Sequence, residues 1–427
     1  MANLQTGFVV NFLDRSFCGV PHNELMISPN GDYRVCSLIN SHEHDQGLCR
    51  DANGVPMNVL THSFEEAVNS QCHKSIRTEH ANNTFPATCS CCFDRDAIPG
   101  GNSMRKYKTV EILRTVPDWV EGPTHKTSGP IGLDLRFGVL CNLKCVVCGP
   151  WYSDKWNDDY AAYHRKDTIR FAGKTISIAP DAPKVGADAN GVGWWESDVW
   201  WDRFDKIKPT LRHLYFTGGE PMIVPAHDRV LAELVEGGFA KDVVIEIDTN
   251  LTALNPRIIE QWRHFKYVDV RISLDAVNEQ YDLVRFPGKF SRVENNVRAL
   301  LANKPDNIRA IVTSCVTPLT VFYMHKMDEW VDGMGFSDPK PIHRRFVEEP
   351  FSLSLKFSSK ERKDKVLQWL AANPSPYSPT VEAYVRNNYN EFHPGSNDLV
   401  KYMDFLDSRR GTNWRSTMGL AAEVLGV

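Results

Sequence analysis

From about residue 131 onward, short apolar segments alternate with stretches of helix-like spacing, and that rhythm restricts the fold more than any other feature. The strand-like segments are 131–137, 211–217, 243–249, 268–274, 308–314 and 342–347. Between them, 223–236, 255–265, 290–303 and 321–333 place apolar residues at helical intervals. Alternation of this length implies βαβ units and a parallel sheet. Six such units predict an α/β fold, an open and partial (β/α)6 relative of the TIM barrel. A length of 427 residues accommodates a domain of roughly 200–250 residues of this kind together with smaller units.

The segments flanking the rhythm read differently. Residues 1–125 form a cysteine-bearing, loop-rich stretch that predicts a small N-terminal domain. Within it, Glu24 to Cys36 reads as a hairpin turning at Pro29-Asn30-Gly31-Asp32. Residues 97–103 and 122–130 are rich in glycine, proline and serine, and the second stretch predicts a linker. The barrel is expected over 126–350. Residues 151–209 interrupt it as an insertion carrying Trp151, Trp156, Trp194, Trp195, Trp200 and Trp201. Such a segment either lies over the face where barrel enzymes place their chemistry or is a packed excursion without a ligand role. Residues 351–427 are expected to pack on the barrel as a C-terminal extension.

Net charge is −4, which gives no global electrostatic argument for nucleic acid or an anionic membrane as partner. The first residues lack a basic segment before their apolar run, and nowhere do about 18 apolar residues follow one another, so a soluble, cytoplasmic protein is the expectation. In a reducing compartment the 11 cysteines point to metal ligands or catalytic groups rather than disulfides.

Cys141, Cys145 and Cys148 follow the first barrel strand directly. Three thiolates on one short loop can bind three irons of a cubane and leave the fourth open. The alternative is zinc, completed by one distant ligand, although zinc favours paired knuckles closed to four ligands.

These residues, together with the strand ends that follow, resemble the radical SAM (S-adenosylmethionine) superfamily. The second strand runs into Thr217-Gly218-Gly219-Glu220-Pro221, similar to the glycine–glutamate–proline motif that holds the methionine amine of SAM. The third ends in Thr249-Asn250. The fourth ends in Ser273-Leu274-Asp275, with Arg285 downstream. The resemblance implies a [4Fe–4S] cluster on the three cysteines with SAM on its open iron. It also implies contacts from Gly218, Gly219, Glu220, Pro221 and Asn250, Ser273 and Asp275 near the ribose, and Arg285 near the SAM carboxylate. Val147 stands where many members carry an aromatic residue before the third cysteine, so adenine contacts are expected from elsewhere.

The first hundred residues resemble a narrower group, the radical SAM proteins with a SPASM or twitch auxiliary-cluster module. The matching pieces are Phe17-Cys18, the hairpin ending in Cys36, the run Cys89-Ser90-Cys91-Cys92, and Ser103-Met104-Arg105. The resemblance implies a second [4Fe–4S] cluster on Cys18, Cys36, Cys89 and Cys92, with Cys91 competing for the last place. A closed set of four cysteines is also what structural zinc uses. Cys49, Cys72 and Cys315 remain outside both sets, and Cys315 reads as a core residue.

Together these features lead to an expected radical SAM enzyme. It cleaves SAM to a 5′-deoxyadenosyl radical that abstracts hydrogen from a peptide or protein, with a flavodoxin or ferredoxin as electron donor. The competing expectations are a zinc-stabilised binding protein and an iron–sulfur electron-transfer protein that does not use SAM.

Overall fold

The computed structural model describes residues 16–39, 47–97, 103–115, 129–171 and 174–427. Most of the predicted linker 122–130, the breaker-rich core of 97–103 and the chain's first residues lie outside them. The described chain divides into two compact units that interleave along the sequence. One takes in the described residues through Leu140 with Thr168–Ile247 and Arg257–Val268; the other takes in Cys141–Asp167, Asp248–Pro256 and Asp269–Val427.

The fold class is α/β, of the partial (β/α)6 TIM-like kind. In the first unit β1 (Glu24–Ile27) and β2 (Tyr33–Arg34) form the antiparallel hairpin. β3 (Gly132–Leu135) runs parallel to β1, so the hairpin from the N-terminal stretch continues the sheet. An antiparallel pair, β4 (Thr168–Phe171) and β5 (Lys174–Ser177), stands apart from that sheet. β6 (His213–Phe216) lies parallel to β3, and β7 (Val244–Thr249) lies parallel to β6.

Four tryptophans of the 151–209 segment are buried: Trp156, Trp194, Trp200 and Trp201. In the first unit Trp194 and Trp200 meet Phe137 at ring-centroid distances of 5.4 and 6.1 Å. Burying large rings against each other is what a packed excursion does, and for these side chains that is the reading the structure supports.

In the second unit β8 (Tyr267–Ser273), β9 (Ile308–Val316) and β10 (Ile342–Phe346) lie side by side, with β9 and β10 parallel. The C-terminal extension is part of the same core: Leu399, Met403, Trp414 and Met418 are fully buried. Gln280 donates to the Thr417 carbonyl at 2.9 Å, and the Leu420 N–H donates to the Tyr323 hydroxyl at 3.1 Å.

The inner surface of the first unit's sheet carries charge. Gly132 sits between Glu24 and His213, and a Cβ there would fall 2.9 Å from the Glu24 side chain. Its absence lets Glu24 Oε1 reach His213 Nδ1 at 2.8 Å. Glu246 stands 3.4 Å from the other ring nitrogen and 2.7 Å from Lys108 Nζ. Burial and Lys108 push the His213 pKa down, but Glu24 and Glu246 outweigh them and raise it above its ordinary value. Buried charges of this kind persist only when paired.

Candidate active site

The loop carrying Cys141, Cys145 and Cys148 has little regular structure, so its shape depends on bonds to its surroundings. Lys144 N–H donates to the Phe286 carbonyl at 2.7 Å, and Val146 N–H donates to the Val284 carbonyl at 2.8 Å. The Trp156 indole N–H donates to the Cys145 carbonyl at 2.9 Å, and the Tyr402 hydroxyl donates to the Val146 carbonyl at 2.8 Å. Ser153 ties the Leu143 carbonyl at 2.6 Å. Asn142 is held by Asn250, whose side-chain amide donates to it at 2.9 Å, and Asn142 in turn donates to Thr252 at 2.6 Å. Asn250 therefore fixes the residue next to Cys141.

Cys148 senses the other two thiols, and Cys145 senses the charges around it. Burial pushes the Cys148 thiol pKa well up, and Cys145 and then Cys141 push it further. Burial also raises Cys145, against the pull of the Arg285 charge. Arg285 Nε donates to Asp275 Oδ2 at 2.8 Å, and the Cys315 N–H donates to Asp275 Oδ1 at 2.8 Å. Burial disfavours the Arg285 charge, yet Asp275 and Cys145 outweigh it and hold the guanidinium firmly protonated. Cys315, read from sequence as core, is half-buried and borders this ion pair. Its thiol is raised by burial and then by Asp275. Ser273 ends β8, two residues before Asp275.

The Gly218-Gly219-Glu220-Pro221 turn belongs to the first unit. Gly218 has φ +111°, in the region that favours glycine. Gly219 packs so closely that a Cβ would fall 2.0 Å from the Leu140 carbonyl oxygen. Glu220 N–H donates to that same carbonyl at 2.8 Å, and its buried carboxylate accepts from Met222 N–H at 3.0 Å.

A second gathering of cysteines lies in the first unit. Cys18, Cys36, Cys89, Cys91 and Cys92 line one pocket, together with His80 and Arg105. Burial raises the Cys36 thiol to about 11 and the Cys89 thiol to about 12. Cys18 is pushed well up by burial, then by Cys36 and Cys89. Cys92 is raised by a shared hydrogen bond with Cys91 and then by burial. Arg105 is anchored by Asp96 at 2.5 Å and by the Phe17 carbonyl at 2.8 Å. Cys49 and Cys72 are not part of this lining; burial raises both thiols, and Cys72 adds to the shift at Cys49.

Among the described residues, no three His, Cys, Asp or Glu side chains converge closely enough to hold a single metal ion. A cubane asks for a different arrangement, because each thiolate binds its own iron rather than a shared centre. Three thiols on a pinned loop, two of them acting on Cys148, with a guanidinium beside them, fit such a group.

Residues 135–332 match the family described as the radical SAM superfamily. The chain therefore carries a radical SAM domain over those residues. No curated protein matches it. Among solved structures it is similar to SuiB of Streptococcus suis bound to S-adenosylmethionine, at 13% identity and a TM-score of 0.35, over 72% of this chain and 59% of that one. It is also similar to anSMEcpe with bound AdoMet, at 19% identity and a TM-score of 0.35, over 57% and 60%. A third is the radical S-adenosylmethionine methyltransferase TsrM from Kitasatospora setae with cobalamin and a [4Fe–4S] cluster, at 12% identity and a TM-score of 0.31, over 48% and 35%. The alignments span about three fifths of the first two proteins.

The sequence singles out the three cysteines, the glycine turn, Asp275 and Arg285, but not the ion pair between the last two. It does not single out the groups that hold the cysteine loop from a distance: the Trp156 and Tyr402 side chains and the Phe286 carbonyl. No local spacing marks them.

Proposed function

We propose that the protein is a radical SAM enzyme in which Cys141, Cys145 and Cys148 hold a [4Fe–4S] cluster with SAM on its open iron. The observation that carries this reading is the pinned loop with its three thiols beside the Asp275–Arg285 pair, inside a radical SAM domain. When bound, the cluster supplies one electron to the sulfonium of SAM, which splits into methionine and a 5′-deoxyadenosyl radical. Glu220 offers a buried carboxylate to the methionine amine, and Arg285 offers a charge-assisted hydrogen bond to its carboxylate. Asp275 has a donor on each oxygen already and acts by orienting Arg285. Ser273 is assigned to the ribose hydroxyls. Asn250 acts through Asn142, keeping the loop in register.

The pocket lined by Cys18, Cys36, Cys89, Cys91 and Cys92 is assigned to an auxiliary [4Fe–4S] cluster, with zinc as the rival occupant. A peptide or protein is the proposed substrate, and a flavodoxin or ferredoxin the proposed electron donor. No described helix is long and apolar enough to cross a membrane.

The test is anaerobic reconstitution with iron and sulfide, followed by iron counting and SAM cleavage with dithionite, in the wild type and in Cys145→Ala. About four or eight irons per chain, with 5′-deoxyadenosine formed only when Cys145 is intact, supports the proposal. Zinc without iron favours a binding protein. Iron without SAM cleavage favours plain electron transfer.

A further inference from the structure

The side chain that most needs an explanation in the second unit is Arg410, at the end of the helix Leu399–Arg410. Its side chain is 1% exposed. The guanidinium sits over the Trp156 ring at 4.8 Å and the Phe286 ring at 5.4 Å. Both of those residues help to hold the cysteine loop, Trp156 through the Cys145 carbonyl and Phe286 through the Lys144 N–H. Arg410 Nε and Nη2 donate to Asp159 at 3.3 Å, while Nη1 is buried without a hydrogen-bond partner. Asp159 also faces Lys144 at 2.9 Å and Arg409 at 3.4 Å, so one carboxylate is shared by three cations. The charge at this point is therefore not cancelled locally. Arg410 and Cys145 each feel the other's charge.

We infer that Arg410 is a positioning residue that raises the reduction potential of the cluster on Cys141, Cys145 and Cys148, by fixing an uncancelled positive charge behind the Cys145 segment. The inference rests on the assignment of that cluster. Reduction adds one negative charge, and a fixed cation in a buried setting favours the more negative state with little screening. Arginine suits the place because its planar, permanently charged group stacks between two rings, which lysine does not reproduce. The C-terminal extension thereby supplies part of the electrostatics of a loop far away in sequence.

The experiment is redox titration of the reconstituted protein, followed by the electron-paramagnetic signal of the reduced cluster, with iron counting on every sample. In Arg410→Gln the oxidised-to-reduced ratio at a given potential is expected to rise about tenfold, a downward shift of about 59 mV for one electron. Arg410→Lys recovers part of the shift. Asp159→Asn, which removes the counter-charge, moves the potential the other way, and it decides the matter should Arg410→Gln fail to hold iron. An unchanged potential in an iron-replete Arg410→Gln overturns the inference, as does a shift of the same sign in Arg410→Gln and Asp159→Asn. A wild type that holds no cluster on this loop defeats the functional reading instead, and the two failures are told apart by whether Cys145→Ala lowers the iron count.

Discussion

Gly219 is fixed by the backbone it touches, since a methyl there would collide with the Leu140 carbonyl carbon, oxygen and amide nitrogen at 2.0–2.9 Å. None of those atoms can swing aside as a side-chain tip can. Gly219→Ala is expected to destabilise the metal-free protein by about 1–3 kcal/mol, the usual cost of overpacking, and to weaken SAM binding because Glu220 moves with the turn. Urea denaturation and equilibrium dialysis with SAM check this. The control is Gly419→Ala, where nothing lies within 4 Å, and it should leave both unchanged. Wild-type affinity in Gly219→Ala would remove the turn from the SAM site. At this scale the sequence was legible where chemistry is written in short spacings, as in Cys141 to Cys148 and Gly218 to Pro221. Arg410 was not, because an arginine near the end of a helix looks the same whether it meets solvent or an aromatic sandwich. Cys315 was misread for a related reason: its apolar flanks are visible in the sequence, whereas the Asp275 carboxylate on its backbone N–H is not.

The helix Gln71–Ala81 turns a polar-looking face inward, burying His73, Arg77 and His80. His73 donates through Nδ1 to the Pro21 carbonyl at 3.0 Å, and His80 shares a hydrogen bond of 3.3 Å with His22. Burial lowers all three histidines, His73 and His80 to about 4 and His22 to about 3, the last with help from His80 and Arg77. A folded-state pKa below the unfolded value means that the unfolded chain takes up protons first. The stabilisation is thus complete above about 6.5 and is lost as pH falls toward 4. Between pH 7 and 5 the metal-free protein should lose on the order of 2 kcal/mol per imidazole. Hydrogen exchange along Gln71–Ala81 should show the loss locally, and His73→Gln should flatten it; equal protection at both pH values would refute the assignment. Most strands and several helices, by contrast, were read to within about three residues, although the helix Asp198–Ile207 fell inside the stretch read as an insertion. The segment 243–249 became β7, Val244–Thr249, and 290–303 became a helix over the same span, Phe290–Asn303. Apolar periodicity reports burial against a sheet well. It says nothing of a helix whose buried face is histidine and arginine, and Gln71–Ala81 had no such signal.

For the molecule as a whole, the C-terminal extension is the part the sequence left without a role, and its packing argues that the second unit cannot dispense with it. Leu399, Met403, Leu406, Trp414 and Met418 are each at most 1% exposed. Burying a large apolar side chain is worth about 1.5–3 kcal/mol, so these five contribute on the order of 10 kcal/mol before any entropy is counted. That is comparable with the entire stability of a typical domain, about 5–15 kcal/mol. The same segment supplies Tyr402 to the Val146 carbonyl and Arg410 to the Trp156 and Phe286 rings, so the cysteine loop loses two of its supports along with the core. A chain ending at Asp398 should therefore fail twice. Limited proteolysis should cut within 269–398 at enzyme concentrations that leave the full chain whole, and reconstitution should deliver no iron to Cys141, Cys145 and Cys148. The N-terminal cysteine pocket draws every lining residue from the first unit, so metal bound there should survive the truncation and serve as an internal standard. Loss of metal from both sites would mean that the two units fold only together. Retention at the Cys141 loop would mean that the extension adds stability without being needed to shape the site.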